Sequence, residues 1–264
     1  ISIRAWNFGS LPSGLNQDEA SSAVDAYYLY HYGVDRNGIS YPVHFIAWGS
    51  GQSLLYGYLL IPFVAFGLNP ITTRLPMLLL GVLTLPIMYL VGYRTAGRRY
   101  ALIAVFLLAV SPWHIMMSRW GLEDNTLPFV FLVGYLCMLL STRNNHWYAA
   151  GCVFFALCFY AYGSAYVAVP VFLVFATWIL LRLKRVHVRD VIFGALILVV
   201  LCTPIALFIL VNSLKLDTIH IGLFTIPRFP VQARYEAISV LFGGDYFPSM
   251  LSNIRVMMRV LIQQ

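Results

Sequence analysis

Long uncharged apolar runs alternate along this chain with short connections that carry charge. Residues 75–93, 100–118, 125–142 and 191–214 hold no Lys, Arg, Asp or Glu, and each approaches or exceeds the ~20 helical residues that a bilayer core requires. A fifth run, 147–181, would extend about 52 Å as one helix, too far for a single crossing. It is expected to divide near Gly163-Ser164 into two helices joined by a tight turn, giving about six spans within 75–214. The polar opening, Leu15 to Gly33 ("LNQDEASSAVDAYYLYHYG"), has a different pattern. Asn16 followed three residues later by Glu19 is an N-cap signature, and Gly33 is a natural stop. Ala20, Ala23, Val24, Tyr27 and Tyr28 recur at helical spacing, so a short amphipathic helix with two carboxylates in its first turn is predicted. The apolar run 54–68 is short and contains Pro62, and it is expected to lie at the interface or re-enter without crossing.

Charge orients the spans. Arg94, Arg98 and Arg99 share one connection, Arg143 sits in another, and Arg182, Lys184, Arg185 and Arg189 share a third. The positive-inside rule puts these connections in the cytoplasm. The connections 119–124 and 163–164, the tail after 214 and the whole of 1–74 then lie outside, the last as one large loop delivered by an earlier spanning helix. The six acids before residue 189 fall in two groups, Asp18, Glu19, Asp25 and Asp35, then Glu123 and Asp124. On this topology both groups face outward, where acids at the ends of membrane helices are candidates for chemistry on a membrane-bound substrate.

Composition agrees with the pattern. The 264 residues are 60% hydrophobic and 10% charged, against roughly a quarter charged in a soluble domain. The net charge of +7 reports topology, and nucleic acid is not an expected partner. The chain opens on Ile1, which suggests a fragment or a processed chain. Cys137, Cys152, Cys158 and Cys202 all lie in apolar runs without metal spacing and read as packed thiols. There is no internal repeat, and no GxGxxG, P-loop or GxSxG motif.

Each candidate residue has two readings. Asp18 and Glu19 fit a general base with its partner, because the positive end of a helix dipole favours an ionised carboxylate. They also fit the ordinary placement of acids in a first turn. Arg119, Glu123 and Asp124, in "SRWGLEDN", fit an acidic element with a cation able to meet phosphate, or charges that snorkel and cap two helix ends. Arg74 would stand at the outer end of its helix. It could grip the phosphate of a lipid-linked donor, anchor the interface, or pair with an acid of the loop. His31, His44, Tyr27, Tyr28, Tyr30, Tyr32 and Tyr41 crowd the first loop, as an interfacial belt or as stacking faces for sugar. His114, beside Pro112-Trp113, reads as a satisfied packing histidine. No cofactor is expected, and nothing in the spacing calls for a metal, although a divalent ion could assist.

The order of these motifs resembles the amino-terminal half of membrane glycosyltransferases of the protein O-mannosyltransferase and aminoarabinose-transferase type, which have the GT-C fold. The similarity covers about residues 10–215. It rests on "DEA", "FGLNPITTRLP…G", "GRR", and "SPW…SR" with an acid five residues past the arginine. The resemblance implies an all-α polytopic helix bundle whose external first loop carries non-spanning helices. It implies a polyprenyl-phosphate sugar donor, here dolichyl or undecaprenyl, and an inverting reaction on the extracytoplasmic face. Asp18 would be the base that deprotonates the acceptor, with Glu19 its structural neighbour. Asp124 would match the acid of the second external loop, and Arg74 and Arg119 the arginines near the donor phosphate. Family members often carry a "PPL" stretch where this chain reads "GSGQSLL" over 49–55, which leaves Gln52 as a candidate substrate ligand with a different job.

The expected division is therefore an external loop over 1–74, a helix bundle over 75–214, and a second external loop with short helices over 215–264. The expected setting is a bacterial plasma membrane, with membrane lipids around the bundle and a protein, lipid or glycan as acceptor. Two rivals stand beside this. A transporter or flippase of an anionic lipid or small solute would also want charges at helix ends, but transporters favour charged or broken helices near the midplane, and these spans carry charge at one rim. A structural membrane subunit without activity is the other.

Overall fold

The computed structural model describes residues 2–48, 51–142, 144, 146–230 and 246–262. Gly49 and Ser50 of the "GSGQSLL" stretch, and Arg143, lie outside the described residues. The first loop holds a short turn of helix, α1 (Ser2–Ala5), then α2 (Gln17–Tyr32) and α3 (Leu54–Val64). The cap signals of α2 form as predicted. Asn16 and Glu19 make a reciprocal capping box, and Gly33 ends the helix in the left-handed conformation at φ 71°. Tyr56, Leu60 and Val64 of α3 pack beneath Ala26 of α2 and Met77 of the next helix.

That next helix, α4 (Pro70–Ala96), starts earlier than the apolar run because Asn69 caps it and Pro70 takes its first position. The run 100–118 is not one helix. α5 (Arg98–Val110) stops at Ser111, and α6 (Pro112–Met117) restarts at Pro112, which cannot donate into the preceding turn. A 3-10 turn (Glu123–Asn125) leads into α7 (Thr126–Ser141), followed by α8 (His146–Ala161), α9 (Ala165–Arg182) and α10 (Val188–Ser213). The split expected near Gly163-Ser164 is therefore present. Among the described residues, four helices can cross a membrane by length and composition: α4, α7 with its lead-in turn, α9 and α10. Two of the six expected crossings are thinner. α8 has 16 residues, and the α5–α6 path is broken.

The bundle core lies among α7, α8, α9 and α10, where Phe155, Cys152, Cys158 and Val169 are fully buried. Gly194 lets α10 approach α8 closely, since a Cβ there would stand 2.6 Å from the Tyr148 ring. Val171, Val174, Phe175 and Trp178 of α9, and Val199 and Val200 of α10, point outward. Apolar side chains exposed along nearly uncharged helices face lipid, and the chain is an integral membrane protein.

The segment after α10 departs from the expected short helices. Its described part begins with a hairpin, β1 (Ile219–Ile221) paired to β2 (Phe224–Ile226), turning at Gly222 with φ 59°. Thr225 bonds the backbone of Tyr41 and Val43, so this segment folds onto the first loop. A helix, Tyr246–Ile262, ends the described chain. The first loop, the start of α4, the 118–125 connection and the hairpin all gather at one end of the bundle, while Arg94, Arg98, Arg182 and Arg189 sit at the opposite helix ends. The two acid groups thus share an end.

Candidate functional site

The first turn of α2 treats its two carboxylates differently. Glu19 is fully buried. Its Oε1 accepts from Arg74 Nε and the Gly121 backbone N–H, both at 2.8 Å. Its Oε2 accepts from Arg74 Nη2 and the Asn16 N–H, both at 2.9 Å. Four donors from three chain segments meet one carboxylate, which joins α2 to α4 and to the 118–125 connection. Asp18, one residue earlier, is half-buried. Its carboxylate accepts from the Trp48 indole N–H at 3.2 Å, and its charge acts on Asp124.

Arg74 does not face open space. It is fully buried, and beyond Glu19 it donates to the carbonyls of Pro12 at 2.9 Å and Gly14 at 2.5 Å. Of its sequence readings, the ion pair with an acid of the loop is the one the structure contains. The Arg119 guanidinium is likewise held by backbone carbonyls. Nε donates to Leu11 O, Nη1 to Ile3 O and Arg4 O, and Nη2 to Asn7 O and Leu11 O. All five donors therefore go to carbonyls of the amino-terminal segment. A planar guanidinium with its full fork engaged is a brace.

Gln52 is turned inward as well. It is buried, its Oε1 accepts from Ser21 Oγ at 2.8 Å, and its Nε2 donates to Ser22 Oγ at 2.9 Å and to the Asp18 carbonyl at 3.0 Å. Its amide clamps the first loop onto the opening turn of α2. Backbone bonds of 3.0 and 3.1 Å between Phe45 and Gln52 close the intervening loop. Next to it, the Ser53 N–H donates to Glu123. Asp124 stands in the following position with its Oδ1 buried and without a hydrogen-bond partner. The structure therefore brings Asp18, Glu19, Gln52, Arg74 and Asp124 around one helix start and turns Arg119 toward residues 3–11.

Several groups carry roles that the sequence did not disclose. Arg4 is buried and donates to the carbonyls of Leu108 and Ala109 at the end of α5, and to His114 Nδ1 at 2.8 Å. Because arginine only donates, His114 Nδ1 is the acceptor, which makes His114 the satisfied histidine its position suggested. Asp25, fully buried, pairs with Arg36 at 3.4 Å and has an unpartnered Oδ2. Burial pushes its pKa up to about 6, Arg36 opposes the rise, and Asp35 adds to it. His44 stacks on Phe208 at 4.6 Å, and burial lowers its pKa to about 4. Among the described residues no group of three His, Cys, Asp or Glu could hold a metal ion. A cleft of about 940 Å³ lined by His146, His187 and Arg189 opens at the opposite, basic end, away from these carboxylates.

The sequence profile of the family described as dolichyl-phosphate-mannose-protein mannosyltransferase matches residues 43–220. No curated protein matches the chain. Two solved structures of ArnT from Cupriavidus metallidurans are similar in fold, one in the apo state and one bound to undecaprenyl phosphate. Each superposes with a TM-score of 0.58 at 18% identity, over 75% of this chain and 38% of that one. The chain thus spans well under half the length of the protein it resembles.

Proposed function

The chain belongs to the dolichyl-phosphate-mannose-protein mannosyltransferase family, and from that premise we propose that it transfers a sugar from a polyprenyl phosphate to a hydroxyl acceptor on the extracytoplasmic face, with inversion and with Asp18 as general base. In this reaction the acceptor oxygen attacks the anomeric carbon as Asp18 takes its proton. The bond from that carbon to the phosphate oxygen breaks, and the electron pair leaves with the lipid phosphate. A phosphate leaving group is already anionic, so the enzyme's work is to activate the hydroxyl and hold the two substrates in line.

The observation that carries this reading is the division of labour between two adjacent carboxylates. Glu19 is used up by four hydrogen bonds, while Asp18 is half-open and held at the helix start by the same framework. A fixed, solvent-reachable carboxylate on a rigid element is what proton abstraction requires. Asp124 faces it electrostatically and is a candidate for orienting substrate hydroxyls. Arg74 and Arg119 act one step back, by holding the walls. The undecaprenyl phosphate bound in one ArnT structure supports a lipid-phosphate donor. The positive-inside assignment supports the outer face of a plasma membrane, with 1–74 and 215–264 outside and the bundle over 75–214.

The test is a donor panel. Membranes containing the full-length protein are given radiolabelled polyprenyl-phosphate sugars, with nucleotide sugars as controls. Label reaching acceptor from the lipid-linked donors alone is expected. Transfer from nucleotide sugars, or from none of the donors by a folded protein, overturns the proposal.

A further inference from the structure

Resting on the reading of Asp18 as the base, we infer that Trp48 is the acceptor-positioning residue of this site: its indole N–H fixes the Asp18 carboxylate, and its exposed ring seats an acceptor that offers an apolar C–H face, such as a sugar ring. Three features of the loop meet at this residue.

First, burial alternates along 43–47, and the ring of Trp48 follows it on the outside. Val43, Phe45 and Ala47 are 5%, 1% and 1% exposed, and Trp48 ends the run 65% exposed. Burial therefore takes Val43, Phe45 and Ala47 and leaves a large aromatic side chain outside, beside a carboxylate.

Second, the indole is tied down. Nε1–H donates to Asp18 Oδ1 at 3.2 Å. Indole is a donor only, so this bond has one direction, from the ring to the carboxylate. Trp and Tyr suit wet, half-apolar sites because the ring binds while the polar tip bonds.

Third, the backbone at Trp48 lies in the left-handed region, φ 53°, which bulky residues rarely adopt. Such conformations persist where the surroundings over-determine them, and they gather at functional sites. Here the surroundings are the Phe45–Gln52 backbone pair and the Gln52 clamp on Ser21, Ser22 and the Asp18 carbonyl. One clamp thus sets both the turn that carries Asp18 and the loop that carries Trp48. This is the work of Gln52, and it explains a buried amide where a substrate contact was expected.

The two roles of the ring separate by substitution. Trp48→Phe keeps a stacking face and removes the N–H. Trp48→Ala removes both. The experiment measures kcat and acceptor KM for transfer by the full-length protein in membranes, with binding of polyprenyl phosphate as the control for an intact fold. Trp48→Phe is expected to lower kcat roughly tenfold with acceptor KM nearly unchanged, the scale of a lost hydrogen bond to a charged group. Trp48→Ala is expected to show the same fall in kcat and a rise in acceptor KM of roughly fivefold, the scale of a lost aromatic contact. If Trp48→Phe matches the parent while Asp18→Asn is inactive, the inference fails and the base assignment stands. If Asp18→Asn transfers as well as the parent, the base assignment itself fails. Loss of polyprenyl phosphate binding in Trp48→Phe, in proportion to its activity, would make Trp48 merely structural and overturn the inference.

Discussion

Replacing Arg74 by alanine removes the centre of the lock between the first loop and the bundle. Arg74 and Glu19 are both fully out of solvent, with Nε and Nη2 of the arginine at 2.8 and 2.9 Å from the two carboxylate oxygens. In Arg74→Ala the Glu19 carboxylate keeps only the Asn16 and Gly121 N–H groups, and the carbonyls of Pro12 and Gly14 lose a donor. Breaking a buried pair by removing one partner costs about 3–5 kcal/mol, because the other charge stays behind. At roughly 2 °C per kcal/mol for a chain of this size, the melting temperature should fall by about 6–10 °C. The buried thiols of Cys137, Cys152 and Cys158 provide the assay, since a thiol-reactive dye reads their exposure on heating in detergent. The double variant Arg74→Ala/Glu19→Ala should lose less than the sum of the two single changes, with a coupling of about 1–3 kcal/mol. An Arg74→Ala protein that melts with the parent and loses only its use of donor would refute this reasoning and return Arg74 to the phosphate.

Three further outcomes follow from the packing. Asp25 has a folded pKa raised to about 6, above its ordinary carboxylate value, so the stability it contributes is fully present in acid and lost as pH rises through about 6. Asp25→Asn should therefore raise the melting temperature at pH 7.5, and the gain should shrink by pH 4; a gain that does not depend on pH would contradict the burial argument. Gly194→Val should disrupt the α8–α10 contact, because its Cβ would stand 2.6 Å from the Tyr148 ring and 2.7 Å from Cys152 Sγ, whereas Gly163→Ala has no atom within 4 Å to meet. Comparable melting of the two variants would argue against that contact. A cysteine at Ala20 should take an impermeant thiol reagent from outside only, above the parent's label, and labelling from inside would reverse the topology on which the site rests.

What the sequence disclosed is what depends on near neighbours. The α2 caps at Asn16 and Gly33, the division at Gly163-Ser164 and the gathering of both acid groups at one end follow from spacing and charge. The break at Ser111-Pro112 carried a local signal, the proline, but the unbroken hydropathy across it predicted one span. Partner choice was not legible. Arg74, Arg119 and Glu19 are charged groups at one membrane face in sequence. Only the fold decides that Arg74 reaches Glu19 across 55 positions, or that Arg119 reaches Leu11 across 108. Loop carbonyls leave no sequence signature as arginine ligands, so both guanidiniums looked available for phosphate. The clamp made by Gln52 was hidden for the same reason, since its partners Ser21 and Ser22 are ordinary helix residues until the loop folds over them.

The most direct test of the account is the transfer rate of Asp18→Asn beside that of the parent, in full-length protein that inserts and binds polyprenyl phosphate equally well. A fall of roughly 10²–10⁴-fold is expected, the usual contribution of a general base, with Asp18→Glu recovering part of it. Transfer by Asp18→Asn within a few-fold of the parent would contradict it.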